Sequence, residues 1–308
     1  MTEDRFINYI SKNVKNNIIG DDCAVIPLEN FSHDSEKISG QYVLIATDTI
    51  NEKVHFSLDY FSLYDIGYKS LAVNLSDIAA CAGIPLYYQV SLTVPPYIKP
   101  EMLEHVYKGF ETLSNKYNLI LSGGDTVAGR FLSICVTVIG KTSNPVLRKN
   151  AGRGENVYVT GELGSSSYAL DLFQKKLKVP DSLKKKHLTP EPRINVLNNL
   201  MKTNKITSCI DISDGLALDI YRLKSAATGF EINYNDIPKS DELKKMDIEE
   251  QLGHMLNGGE DFELLFTSPD DIKNEDVYKI GTTNKTGKAE LIINNNRCVF
   301  NPKPYKHF

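Results

Sequence analysis

Six short acidic motifs carry most of the chemistry this chain could perform: Gly20-Asp21-Asp22, Thr47-Asp48-Thr49, Asn74-Leu75-Ser76-Asp77, Gly123-Gly124-Asp125-Thr126, Asp211-Ile212-Ser213-Asp214-Gly215 and Gly258-Gly259-Glu260-Asp261. Carboxylates and hydroxyls are hard oxygen ligands suited to Mg²⁺, an ion that proteins usually hold jointly with substrate phosphates. Any one Asp beside Gly is most often a turn former or helix cap. Their recurrence along the chain points instead to a multi-metal phosphate site assembled from distant segments, and so to phosphoryl transfer.

The spacing within the motifs refines this. Thr47-Asp48-Thr49 and Asp125-Thr126 each follow an apolar stretch and are expected at strand ends, where open α/β sheets bind ligands. Asn74 and Asp77 lie three apart, so a helix would present them on one face. A buried helix carrying both needs a polar partner, and a metal would supply one. In extended chain Asp211 and Ser213 point the same way, and Asp214 is placed to cap the helix that follows. Gly258-Gly259 permits close backbone approach to a ligand, with Glu260 projecting from the turn. Residues 161–167 could cradle a phosphate at a helix start, but they match no phosphate-loop fingerprint, and plain capping is the expectation. The chain has no GxxxxGK[ST] and no protein-kinase HRD or DFG set, which excludes both of those architectures.

The elements that must position these groups follow from apolar periodicity and breakers. A helix is expected over 5–19, a strand over 42–46, and a largely buried helix over 62–81 stopped by Gly83 and Pro85. A strand at 87–94 and an amphipathic helix at 100–117 come next, the latter with Pro100 near its first turn. Strands at 119–122 and 131–139 complete the first half. Turn residues over 141–154 mark the best boundary, giving expected domains at 1–142 and 150–308. Beyond it come strands at 156–160, 207–210, 230–234, 262–267, 277–281 and 290–293. Helices are expected at 168–177 and 216–227, with a mostly helical stretch at 242–256. The fold class is α/β, in two domains of similar size.

Composition limits the alternatives. At 308 residues, 41% hydrophobic and 24% charged, the chain reads as an ordinary globular protein. A net charge of −4 gives no global basic field for nucleic acid or anionic membrane. The Lys-rich stretch 175–186 is expected to be a solvated helix face and loop. Five cysteines, far apart and never as CxxC, argue against a zinc site or a disulfide framework. An acidic N-terminus and the lack of a long apolar run fit an unprocessed cytoplasmic protein.

Taken together and in this order, the motifs resemble the thiamine-monophosphate kinases of the aminoimidazole-ribonucleotide synthetase-like superfamily. The match includes residues 20–24, Thr47-Asp48-Thr49, Val54-His55-Phe56 and the long block 67–80. It continues through 123–126, Leu188-Thr189-Pro190-Glu191-Pro192-Arg193, 211–216 and 258–264, with a weaker echo at 305–308. The resemblance implies a homodimer whose N-terminal strands form a shared β-barrel. It also implies direct transfer of the ATP γ-phosphoryl group to thiamine monophosphate, with no protein nucleophile or general base. By matching positions, Asp22, Thr47, Asp48, Asp77, Asp125, Asp211 and Asp214 would hold several Mg²⁺ ions; whether K⁺ is also needed stays open. Gly124, Asp125, Arg148 and Ser213 would contact ATP, while His55 and Glu260 would face the thiamine substrate. Two departures stand out. Ala46 replaces the family's usual Ser or Thr, and the chain has no Trp near its C-terminus, where Pro302 takes that place and Tyr305 is a substitute only if the tail folds back.

Overall fold

The computed structural model describes residues 10–14, 18, 20–31, 40–300 and 302. Ile10 to Asn13 are helical, while most of the helix expected over 5–19, Tyr305 and the motif echo at 305–308 lie outside the described residues. Two sheets organise the rest. The first comprises β1 (Ala24–Pro27), β2 (Tyr42–Asn51), β3 (Ile84–Val94), β4 (Ile120–Ala128) and β5 (Ser133–Thr142), in the order β1-β2-β5-β3-β4. All its neighbours are antiparallel except β3 and β4, which run parallel. A parallel pair needs a long crossover, here helix α2 (Pro100–Tyr117), whose first turn accepts Pro100 because an N–H at that position would have no helical acceptor to lose.

Helix α1 (Leu63–Ala80) is the hub of the molecule. It begins with a capping box: the Asp65 N–H donates to the Ser62 side chain, and the Ser62 N–H donates to the Asp65 carboxylate. Residues 66–76 and 78–80 are all buried, so the helix has no solvated face. One side packs on β2, β3 and β5, and another crosses α2. The crossing is close enough that a Cβ on Gly67 would lie 2.0 Å from the Val106 carbonyl oxygen, so only glycine fits there.

The rest of α1 meets the second half of the chain. There, seven strands run in the order β12-β11-β8-β10-β6-β9-β7. They are β6 (Asn156–Val159), β7 (Ser208–Asp211), β8 (Gly229–Asn233), β9 (Leu264–Ser268), β10 (Tyr278–Asn284), β11 (Ala289–Ile293) and β12 (Asn296–Val299). Helices α3 (Ser165–Gln174), α4 (Asp181–Leu188), α5 (Ile194–Leu200), α6 (Leu216–Leu223) and α7 (Ile248–Asn257) complete this half. Helix α1 touches α4, α5, β7 and β9, and one apolar core runs from Leu44 and Ile78 through Leu197 to Phe266. No described helix is long and apolar enough to cross a membrane.

One expectation about local structure needs correction. Thr47-Asp48-Thr49 and Asp125-Thr126 do not sit at strand ends; they lie inside β2 and β4, which continue through them. The polar residues do not end the strand, and the β2 ladder pairs with β5 over all ten residues. The Lys-rich stretch 175–186 is a solvated helix face and loop as expected, with Lys175, Lys176, Lys178, Lys184 and Lys185 exposed. Alanine at position 67 should force α1 and α2 apart and cost about 1–3 kcal/mol. A calorimetric melting temperature equal to that of the unmodified protein would contradict this packing.

Candidate phosphate and metal site

A cavity of about 960 Å³ opens between the two halves. It is lined by residues from all but one of the six acidic motifs, among them Asp22, Asp48, Asp77, Asp211 and Glu260. At its base the carboxylates of Asp22, Asp77 and Asp211 offer oxygens that all lie within 4.8 Å of one another. Asp22 follows the N-terminal Gly20-Asp21 turn, Asp77 sits near the end of α1 and Asp211 ends β7. Burial and the neighbouring Asp48, Asp211 and Asp22 hold the Asp77 carboxyl well above the usual carboxylate range. Asp211 is raised likewise, by burial and by Asp22. Three carboxylates crowded this closely repel one another, and an oxygen-only donor set of this kind suits Mg²⁺; the residues fit the ion.

Strand alternation explains Asp48. Leu44, Ala46 and Ile50 are buried, and Asp48 shares their face, so it points to the α1 side. Thr47 faces the other way, where its hydroxyl hydrogen bonds to Thr137 Oγ1 at 3.0 Å. Asn74 is not a ligand. Its Oδ1 accepts from the Asp48 N–H at 2.9 Å and its Nδ2 donates to the Ser70 carbonyl, so the polar partner expected for it is backbone.

Cations border the acidic floor. Arg148 donates from Nε and Nη2 to the two oxygens of Asp22, at 3.0 and 2.7 Å, a bidentate fork. Its own N–H donates to Asp21 Oδ1. Asp214 accepts from Arg222 Nη1 at 2.5 Å, and Arg222 also donates to buried Asp219. The expectation that Asp214 caps α6 is therefore corrected: Gly215 is the N-cap, with no side-chain cap. Sequence reasoning missed Arg222, Lys149 and Asp21 as lining residues. Only Asp21 stood within a recognised motif.

At the other end of the cavity, His55 accepts from the Asn51 N–H on Nδ1 at 3.0 Å, which puts the proton of the neutral ring on Nε2. Glu260 receives the ammonium of Lys69 at 3.0 Å. A Cβ on Gly259 would lie 2.4 Å from the Ser213 carbonyl oxygen, so glycine permits the close approach of the 211–214 loop, and Gly259 itself lines the cavity. The Glu260 and Phe262 N–H groups then donate to Ser213 and Ile212 carbonyls. Asp261 accepts from the Gly164 and Ser166 N–H groups, so the start of α3 is capped from a remote loop. Glu263 is clasped by Arg193 and Lys186, which gives the 188–193 segment its role.

Gly124 and Asp125 are not brought to the cavity. Through the ladder, Asp48 is level with Val136, Val136 with Val90, and Val90 with Gly124. Three strand spacings separate them, about 14 Å. All of β4 is exposed, including Ile120, Leu121 and Val127.

Comparison with known proteins places these features. Residues 20–142 match the family model for the AIR synthase related protein N-terminal domain. A thiamine-monophosphate kinase of Buchnera aphidicola is 38% identical, over 99% of this chain and 97% of its own. The structure described as AaThiL complexed with AMPPCP and TMP superposes with a TM-score of 0.86 at 29% identity, covering 100% of this chain and 97% of that one. The thiamine monophosphate kinase of Aquifex aeolicus gives 0.81 at 28% identity, covering 96% and 97%.

The raised Asp77 and Asp211 carboxyls give a pH signature. Between the ordinary carboxylate range and their raised values the folded chain keeps protons that the unfolded chain has lost, so metal-free stability falls as pH rises. Mg²⁺ should offset this loss, so its stabilising effect should be larger at about pH 8 than at about pH 5. Equal Mg²⁺-induced shifts in melting temperature at both values would exclude the cluster as the metal site.

Proposed function

Because the chain belongs to the thiamine-monophosphate kinase family, we propose that it transfers the γ-phosphoryl group of ATP to thiamine monophosphate, giving thiamine diphosphate and ADP. The observation that carries this reading is the convergence of Asp22, Asp77 and Asp211 at the floor of one large cavity bordered by Arg148, Lys149 and Arg222. Asp22, Asp48, Asp77, Asp211 and Asp214 are assigned to hold Mg²⁺. Thr47, whose hydroxyl is turned away, is assigned through its backbone only. Bound there, the ions would neutralise the phosphates of donor and acceptor.

Arg148 and Ser213 are assigned to ATP, and His55 and Glu260 to the acceptor. A phosphate monoester is already ionised near neutrality, so its oxygen attacks without a strong protein base, and orientation supplies most of the catalysis. The two halves, 1–142 and 150–308, then work as two units whose seam is the site. We extend the reading to a homodimer in a cytoplasmic setting. The exposed apolar β4 edge supports pairing with a second copy, and the free state of all five cysteines is consistent with a reducing compartment. A shared barrel would carry Gly124 and Asp125 to a neighbouring site.

Product analysis after mixing the protein with ATP, Mg²⁺ and thiamine monophosphate should give thiamine diphosphate and ADP in equal amounts. ADP without thiamine diphosphate would overturn the assignment. Asp48→Asn should lower kcat by about 10³-fold or more with the melting temperature preserved. If Asp125 serves the site of a second copy, mixed dimers of Asp48→Asn and Asp125→Asn contain one intact site each. Co-refolding the two inactive variants should then restore activity, and a mixture as inactive as its parts would remove Asp125 from that role.

A further inference from the structure

Lys69 is one of the least accessible side chains in the molecule, at 0% exposure, in the middle of the buried helix α1. An ammonium so placed requires an anionic partner. It has one in Glu260, 191 residues away, whose Oε2 lies 3.0 Å from Nζ. Glu260 lines the cavity and is 25% exposed, whereas Lys69 is not among the lining residues. The lysine can therefore reach a ligand only through the carboxylate.

Three further features indicate that Glu260 is held in place for a purpose. Its backbone is left-handed, with φ +67°, and Phe262 follows at +51°. Both are costly for residues with a Cβ and persist only when neighbours enforce them. His187 Nδ1 lies 3.7 Å from the same Oε2, but burial and the charge of Lys69 depress its pKa well below the usual value, so the imidazole is neutral and adds no second positive charge. The ring is packed against Phe61 and Phe173. Finally, the hydrogen bond that Glu260 receives from Lys69 uses Oε2, and the second carboxylate oxygen is left to take a donor or cation from the cavity.

We propose that Lys69 is a positioning residue for the acceptor: it fixes Glu260 from behind so that the carboxylate meets the cationic or amino-bearing organic end of the substrate. This inference rests on the kinase reading above. It assigns Lys69 no contact with the transferred phosphate.

The test compares Lys69→Met, Glu260→Gln and the double variant in steady-state kinetics with ATP and thiamine monophosphate, alongside thermal melts. Loss of a charge-assisted hydrogen bond predicts that Lys69→Met raises KM for thiamine monophosphate about tenfold or more. KM for ATP should stay within about twofold, and the double variant should be no worse than Glu260→Gln alone. A lowered melting temperature with unchanged KM for thiamine monophosphate, or effects that multiply in the double variant, would overturn the inference and leave the kinase reading standing. Wild-type protein that forms no thiamine diphosphate would overturn both. Should Lys69→Met not fold, Lys69→Arg keeps the charge and displaces the donor, and is read on the same two KM values.

Discussion

The structure depends on one constraint: helix α1 is buried on almost every side yet carries Lys69, Asn74 and Asp77. A buried polar group must find its partner within the protein, and here each partner comes from a different segment. Lys69 takes Glu260, Asn74 takes the β2 backbone at Asp48, and Asp77 joins Asp22 and Asp211. Satisfying the helix therefore assembles the site. The same contacts that avoid unpaired polar groups in the core set the separation of the two ends of the cavity.

Electrostatics divides the cavity into two regimes. The floor concentrates negative charge and offsets it only in part, through Arg148 on Asp22 and Arg222 on Asp214. The far end is a neutralised Lys69–Glu260 pair among aromatic rings. A ligand with a polyphosphate at one end and an apolar, cationic body at the other matches that division. The Gly258–Glu263 loop joins the regimes, since its residues approach Ser213, pair with Lys69, cap α3 and anchor Arg193.

Much of this was legible in the sequence because the motif residues are local in kind. The 100–117 helix was readable to the residue from its Pro100 start and amphipathic pattern, and the 62–81 helix from its apolar run. Asp22, Asp77 and Asp211 were named through the match of their motifs to the family, and the fold brings the three together. What could not be read was orientation. Thr47 and Asp48 are adjacent, yet strand alternation sends their side chains to opposite faces, which only the ladder settles. At Gly258-Gly259 the glycines signalled a close approach without saying to what, and the packing on Ser213 needed the fold. Arg222 carried no motif; only the helical turn that returns it to Asp214 makes it part of the site. Asp125 looked equivalent to the other acidic residues, but the strand order places it three strands from Asp48.

The separation of Lys69 from Glu260 along the chain also bears on how the protein is made. When a ribosome has released the first sheet and α1, the residues that cover the rest of that helix have not yet been synthesised. The nascent half would hold an uncompensated ammonium, a lone Asp77 and an open apolar flank. Long-range contacts of this kind slow folding because loop closure must precede their reward. Strand β9 and the Gly258–Glu263 loop, which emerge late, complete the cover of α1.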